Sequence, residues 1–311
     1  MSGASSLVVL VGPTASGKSA LGIFLARALG GEVLVCDSAQ VYRHFDIGTG
    51  KVTPAEQAAA PHHLLDLCEP GETFTAGDYM RRARQALGEV AGRGRLPIVT
   101  AGTGLYLRAL LEGLSPLPPR SEELRARLRL LVEERGSEHL HRLLARVDAE
   151  SAQAIAPRDT PKLVRALEVC FLARRPRSEF FRAGRDPLRG YAVVKLGLRP
   201  DRQALYQRIE ARVDAMLDAG WLEEIRRLLE AFPAGAKPFG FLGYRQLAAQ
   251  RRGELSLKDA IKQTKHETRQ YAKRQITWFR KEPAVEWLDG FGDQAAVQAA
   301  ALDHVRTAVG S

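Results

Sequence analysis

Near the start of the chain, Gly12-Pro13-Thr14-Ala15-Ser16-Gly17-Lys18-Ser19 follows directly on the apolar run Leu7 to Val11. The pattern G-x-x-x-x-G-K-[ST] constrains fold and ligand together. Small residues let successive backbone N–H groups wrap around linked phosphates, while the lysine and the hydroxyl meet their charge and their Mg²⁺. Ala20 to Leu29 then reads as a helix, so strand, loop and helix occur in the order a phosphate-binding loop requires. Lys18 is thus a candidate for stabilising phosphate charge and Ser19 a candidate metal ligand. Which diphosphate binds is left open by the motif alone.

The same alternation continues downstream. Gly30 and Gly31 end the first helix, Glu32 to Cys36 reads as a second buried strand ending at Asp37, Tyr79 to Val90 as a helix, and Leu96 to Thr100 as another strand. That strand enters the turn Ala101-Gly102-Thr103-Gly104. Strands alternating with helices predict a parallel sheet with ligands at its carboxyl ends, where the loop, Asp37 and Thr103 would converge. Ser-Pro-Leu-Pro-Pro after Leu114 marks a boundary. Beyond it the pattern is helical: Ser121 caps a helix that Gly136 closes, and Glu138 to Val147 and Pro161 to Ala173 follow. Tyr191 to Leu198 returns as a strand, with helices over Arg202 to Ala219 and Leu257 to Phe279. The expectation is an α/β fold, a P-loop parallel sheet flanked by helices over 1–118 and 190–311, interrupted by an all-helical insertion over 119–189.

The 311 residues carry a formal charge of +10, and the surplus is localised. Residues 120–189 hold 16 Arg and Lys against 11 Asp and Glu, and residues 251–281 hold 10 against 3. Two separated basic regions point to an extended polyanion as partner. Within the second, Lys262, Lys265, Arg269 and Lys273 recur at helical spacing, predicting one basic face. The aromatic residues beside it either pack inward or stack on bases, and the face is either an RNA surface or a solvated one over a core. No apolar run approaches the ~20 residues of a membrane span, and the N-terminus has no leader pattern, so a cytoplasmic protein without membrane contact is expected. Cys36, Cys68 and Cys170 form no C-x-x-C pair and read as buried thiols. His62 and His63 lack companion ligands for zinc and read as structural or substrate-lining.

Further motifs occur in order over nearly the whole chain: DSAQVYRHFDIGTGK at 37–51, PHHLLDL at 61–67, AGTGLY at 101–106, QRIEARVDAML at 207–217, GYRQ at 243–246 and TRQYAKRQITWFR at 268–280. With the phosphate loop, this set resembles the bacterial-type tRNA dimethylallyltransferases, which prenylate the adenosine immediately 3′ of the anticodon. The resemblance implies dimethylallyl diphosphate as donor, Mg²⁺ as cofactor, the tRNA anticodon arm as partner and N6-(dimethylallyl)adenosine as product. Nothing in it requires a dimer, and a monomer is expected.

The resemblance also implies roles for individual residues. The loop, Gly12 to Ser19, would hold the donor's diphosphate as a leaving group, with Arg212 reaching it as a further cation. Asp37 would hold the adenine amine and take its proton; the alternative reading is a helix-capping or metal-linked acid. Thr103 would form the opposite wall of the reaction channel or a plain strand-to-helix turn. RNA contacts are implied for Asp37-Ser38-Ala39-Gln40, Thr103 and Arg125, and for Pro161-Lys162-Leu163-Val164-Arg165. They extend to Gly240-Phe241-Leu242-Gly243-Tyr244-Arg245 and Lys273-Arg274-Gln275-Ile276-Thr277-Trp278-Phe279-Arg280. Ala101 stands where glycine is usual, which leaves the turn before Thr103 open to alteration. The competing readings are a P-loop kinase or NTPase and a non-catalytic RNA-binding protein.

Overall fold

The computed structural model describes residues 4–310; the outermost ends of the expected core domain, 1–3 and 311, lie outside the described residues. In chain order the elements are β1 (Ser5–Val11), α1 (Lys18–Leu29), β2 (Gly31–Cys36), α2 (Pro54–Ala59), β3 (His62–His63), α3 (Ala76–Gly92), β4 (Leu96–Ala101) and α4 (Gly104–Glu112). Five helices follow: α5 (Glu122–Arg135), α6 (Ser137–Val147), α7 (Ala149–Ala154), α8 (Thr160–Ala173) and α9 (Arg177–Arg182). The chain ends with β5 (Tyr191–Leu198), α10 (Arg202–Asp218), α11 (Trp221–Ala231), α12 (Tyr244–Arg251), α13 (Leu257–Phe279), β6 (Val285–Leu288) and α14 (Ala295–Val309).

Two compact units result, Met1–Leu111 with Leu188–Ser311, and Glu112–Pro187. In the first, six strands form a sheet in the order β3-β2-β4-β1-β5-β6, and every pairing is parallel. The side-chain period of 2 sends Leu7, Val9 and Val11 of β1 to one face, where Tyr79, Ala83 and Leu87 of α3 cover them. Val8 and Leu10 go to the other, against Leu21 and Leu25 of α1 and Val297, Ala301 and Val305 of α14. Helices on both faces explain why β1, β2 and β4 read as continuous apolar runs. Each fully buried leucine or valine contributes ~1.5–3 kcal/mol, which fixes the register and with it the loops at the carboxyl ends.

Several boundaries differ from the sequence expectation. Helix α1 begins at Lys18, on the phosphate loop itself, and Gly30 alone closes it, in the left-handed conformation at φ 64°. Gly31 is the first residue of β2, where a Cβ would stand 2.6 Å from the Leu96 carbonyl. The turn through Thr103 leads into α4, whose apolar face the sequence reading passed over. The second unit packs Leu128, Leu140, Leu144, Leu163 and Leu167 into its own core. Its buried Glu168 accepts from the Ser121 amide at 2.7 Å and pairs with Arg125 at 2.9 Å and Arg165 at 2.6 Å.

Candidate active site

The phosphate loop leaves β1 at the carboxyl edge of the sheet and curls through two glycines in conformations that disfavour side chains, Gly12 at φ 151° and Gly17 at φ 88°. One buried amide fastens it to a neighbouring turn. Gln275 of α13 accepts from the Thr14 N–H at 2.7 Å and donates to the Gly102 carbonyl at 2.8 Å, bolting the loop to the turn after β4. The Lys18 ammonium donates to the carbonyls of Gly12 at 2.9 Å and Pro13 at 2.7 Å. Burial pushes its pKa down to about 7; the nearby Asp37 charge opposes that and the Arg212 charge adds to it. Burial likewise lowers the Arg212 guanidinium, again against the pull of Asp37. Asp37 therefore lies in the field of both cations.

At the end of β2, Asp37 Oδ1 accepts from the amides of Ala39 at 2.8 Å and Gln40 at 3.4 Å. Its other oxygen faces Gly102, where a Cβ would approach to 2.6 Å. Thr103 Oγ1 accepts from the Ser38 amide at 2.9 Å and donates to Ser38 Oγ at 3.2 Å, while the Gly102 and Thr103 amides both donate to the Cys36 carbonyl. The turns after β2 and β4 are thus one hydrogen-bonded unit. Ala101 is the fully buried last residue of β4, paired to Val11 and Cys36, so its methyl is accommodated in the sheet. The glycines this turn needs are Gly102, against Asp37, and Gly104, where a Cβ would overlap the Trp278 indole.

A cavity of about 870 Å³ joins these groups. It is lined by the loop from Thr14 to Ser19, Asp37 to Gln40, Gly48 to Gly50, Arg208, Arg212, Gly240 to Leu242, Tyr271 and Arg274. The Asp46 to Gly50 wall rests on a residue the sequence reading missed. Buried Glu224 accepts from the amides of Asp46 at 3.1 Å, Ile47 at 2.8 Å and Gly48 at 3.4 Å, and from the Tyr244 hydroxyl at 2.6 Å. Gly48 lies on the Trp221 indole, and Gly50, at φ 61°, on the Arg212 guanidinium, where any Cβ would overlap. His62 also lines the cavity, whereas His63 pairs with Glu32 at 2.6 Å. Among the described residues no group of three or more His, Cys, Asp or Glu side chains is placed to hold a metal. Ser19 lines the cavity beside Lys18 and offers a hard oxygen.

The family model described as IPP transferase matches residues 40–282, and that described as isopentenyl transferase matches residues 5–66. The chain is 50% identical over 301 residues to the tRNA dimethylallyltransferase of Koribacter versatilis, covering 97% of this chain and 98% of that one. The chain belongs to the tRNA dimethylallyltransferase family. It is also 50% identical over 305 residues to the Solibacter usitatus member. Among solved structures it is similar to the full-length tRNA isopentenylpyrophosphate transferase of Bacillus halodurans, with TM-score 0.73, 34% identity, and coverage of 98% of this chain and 97% of that one. A eukaryotic dimethylallyltransferase acting on tRNA aligns with TM-score 0.82 and 28% identity over 97% of this chain and 80% of that chain.

Within this family member, the residues expected to meet RNA fall into distinct settings. Exposed positions are Pro161, Lys162, Gly240, Arg245, Lys273, Arg274, Thr277, Trp278 and Arg280. Leu163, Val164, Gly243, Tyr244, Gln275 and Phe279 are buried, and Gln275 among them lines the cavity. The aromatic pair divides in the same way: Phe279 is 1% exposed and Trp278 38%. The single basic face expected of α13 is also divided. Lys262 and Lys273 are exposed, but Lys265 pairs with Asp214 at 2.6 Å and Arg269 with Glu210, because α10 presents those acids to that side of α13. Arg125 and Arg165 neutralise Glu168, Lys162 pairs with Asp159 at 2.5 Å, and Arg245 pairs with Glu267 at 2.6 Å.

Proposed function

We propose that this chain transfers a dimethylallyl group from dimethylallyl diphosphate to N6 of the adenosine 3′-adjacent to the anticodon in tRNA, giving N6-(dimethylallyl)adenosine and diphosphate. One observation carries the reading: the phosphate loop, Arg212 and Asp37 line a single cavity, so a leaving-group site and an acid–base group share one reaction space. The amine nitrogen attacks the allylic C1, the C1–O bond breaks, and its electron pair departs with the diphosphate. Loop amides, Lys18 and Arg212 stabilise that departing charge. Asp37 accepts a hydrogen bond from the N6 amine and takes its proton as the C–N bond forms. Thr103 lies outside the cavity lining and supports it through Ser38, which it holds by the amide and the hydroxyl.

The oxygen of Ser19, with the donor's phosphate oxygens, fits the preference of Mg²⁺ for hard oxygen ligands largely supplied by substrate. Bound there, the ion would add positive charge at the leaving group. The target adenine must leave its stack to reach Asp37. Exposed Lys273, Arg274, Trp278 and Arg280, and the Glu112–Pro187 unit with Pro161 and Lys162, are the surfaces proposed to hold the anticodon arm. Work on tRNA implies a cytoplasmic setting, and no described helix is long and apolar enough to cross a membrane. The test is tRNA and Mg²⁺ with labelled dimethylallyl diphosphate in one reaction and labelled ATP in another. Label passes to RNA from the first donor only; phosphate passing from ATP, with no prenyl transfer, refutes the proposal.

A further inference from the structure

The two cationic parts of the donor site come from distant stretches of chain, the loop at Gly12 to Ser19 and Arg212 on α10. Something must hold them in register. The turn between β6 and α14 touches both the loop and α10. On one side it is fused to the loop. The Gly292 amide donates to the Ser16 carbonyl at 2.9 Å, and a Cβ on Gly17 would lie 2.7 Å from the Gly292 nitrogen and 3.1 Å from that of Asp293. Conversely, a Cβ on Gly292 would overlap the Gly17 carbonyl and stand 2.9 Å from Leu21 Cβ. This is backbone packed directly on backbone.

On the other side the turn is fastened to α10. Arg208 donates from Nη1 to Asp293 Oδ1 at 2.8 Å and from Nη2 to Oδ2 at 2.5 Å, a two-point pairing with defined geometry. Its guanidinium also sits 4.6 Å from the Phe291 ring centre, and Phe291 packs in one apolar cluster with Ala15 of the loop and Leu205 and Ile209 of α10. The turn itself is braced by Phe291 N–H to Gln294 Oε1 at 2.9 Å and Gln298 Nε2 to the Gly292 carbonyl at 3.3 Å. Arg208 and Arg212 are four residues apart on one helix and share a face. A continuous chain of contacts therefore runs from the loop backbone through Gly292 and Asp293 to Arg208, and along one helical turn to Arg212.

We propose that Asp293 and Arg208 are positioning residues that clamp the diphosphate loop to the helix carrying Arg212, so that both ends of the cationic cradle reach one diphosphate together. The proposal rests on the reading of the loop and Arg212 as the donor site. A site held loosely by about 1 Å loses much of its binding and rate, so the clamp acts through donor affinity.

The test uses the full-length protein with Asp293→Ala and Asp293→Glu. Binding of inorganic diphosphate is measured by calorimetry, KM for dimethylallyl diphosphate and for tRNA by steady-state transfer, and folding by melting temperature. Asp293→Ala is expected to weaken diphosphate binding and raise the donor KM by roughly fivefold, the effect of ~1 kcal/mol from a half-exposed two-point pair. The tRNA KM stays unchanged, and Asp293→Glu recovers most of the loss. An unchanged diphosphate affinity in Asp293→Ala, or an equal rise in both KM values, overturns the clamp. Wild-type protein that binds no diphosphate overturns the reading of the loop, and the clamp falls with it.

Discussion

Diphosphate binding should draw a proton onto Lys18. Its ammonium is brought down to about 7 from 10.5, chiefly by burial, and the Arg212 charge works in the same direction. A diphosphate placed between the loop amides and Arg212 supplies the compensating negative charge and raises that pKa again. With the unbound value near 7, about nine-tenths of Lys18 is neutral at pH 8 and about one-tenth at pH 6. Binding therefore takes up ~0.9 proton at pH 8 and ~0.1 at pH 6, and this group alone makes affinity about tenfold weaker at the higher pH. Calorimetric titration of inorganic diphosphate in two buffers of different ionisation heat counts the protons, after subtraction of those from diphosphate itself. Uptake that is the same at both pH values would refute the assignment. The sign for stability is the opposite one. Because the folded pKa lies below the unfolded one, the unfolded chain holds more protons between about 7 and 10.5, and stability of the unbound protein rises with pH over that window. Saturating diphosphate removes that rise.

Four substitutions extend the test. Asp37→Asn keeps an acceptor for the Ala39 and Gln40 amides but cannot take a proton, so single-turnover transfer falls by ~10² to 10⁴ while equilibrium binding of tRNA and diphosphate persists; a near-normal rate removes Asp37 from proton transfer. Gly50→Ala forces a side chain onto Arg212 at a φ of 61°, which raises the donor KM with little change for tRNA; equal kinetics with wild type would mean that Arg212 does not serve the donor. Glu224→Ala strips the amides of Asp46, Ile47 and Gly48 and the Tyr244 hydroxyl of their acceptor, a loss of ~1–3 kcal/mol or more by urea unfolding. Lys273→Ala lowers the salt slope of tRNA affinity by about one, whereas an unchanged slope takes that exposed lysine off the RNA surface.

What the sequence made legible follows the range of the interactions. The loop could be read because its chemistry lies in eight consecutive residues, and β1, β2 and β4 because burial on both faces leaves continuous apolar runs. The basic face of α13 is partly claimed by acids that spacing cannot show, because Asp214 and Glu210, which pair with Lys265 and Arg269, sit some 50 to 60 positions earlier on another helix. Spacing records which residues share a helix face, and not what that face meets. Glu224 and Gln275 were illegible as supports for the same reason: each acts through partners far away in sequence, 176 to 178 residues for Glu224 and 173 and 261 for Gln275. Gly48 and Gly50 stand in the 37–51 motif because the Trp221 and Arg212 side chains lie on them, a cause that local sequence does not show. The turn Gly290 to Gln294 had no local signal beyond its glycines, and its relevance emerges only from contact with Gly17.

The central claim is that the loop cradles a diphosphate that departs while its carbon chain goes to RNA. Its most direct measurement is analysis of tRNA after a single turnover with dimethylallyl diphosphate, reading the modified nucleoside and its position together with released diphosphate. The account predicts one N6-(dimethylallyl)adenosine immediately 3′ of the anticodon for each diphosphate released. Unmodified adenosine at that position, with phosphate released from ATP instead, would contradict it.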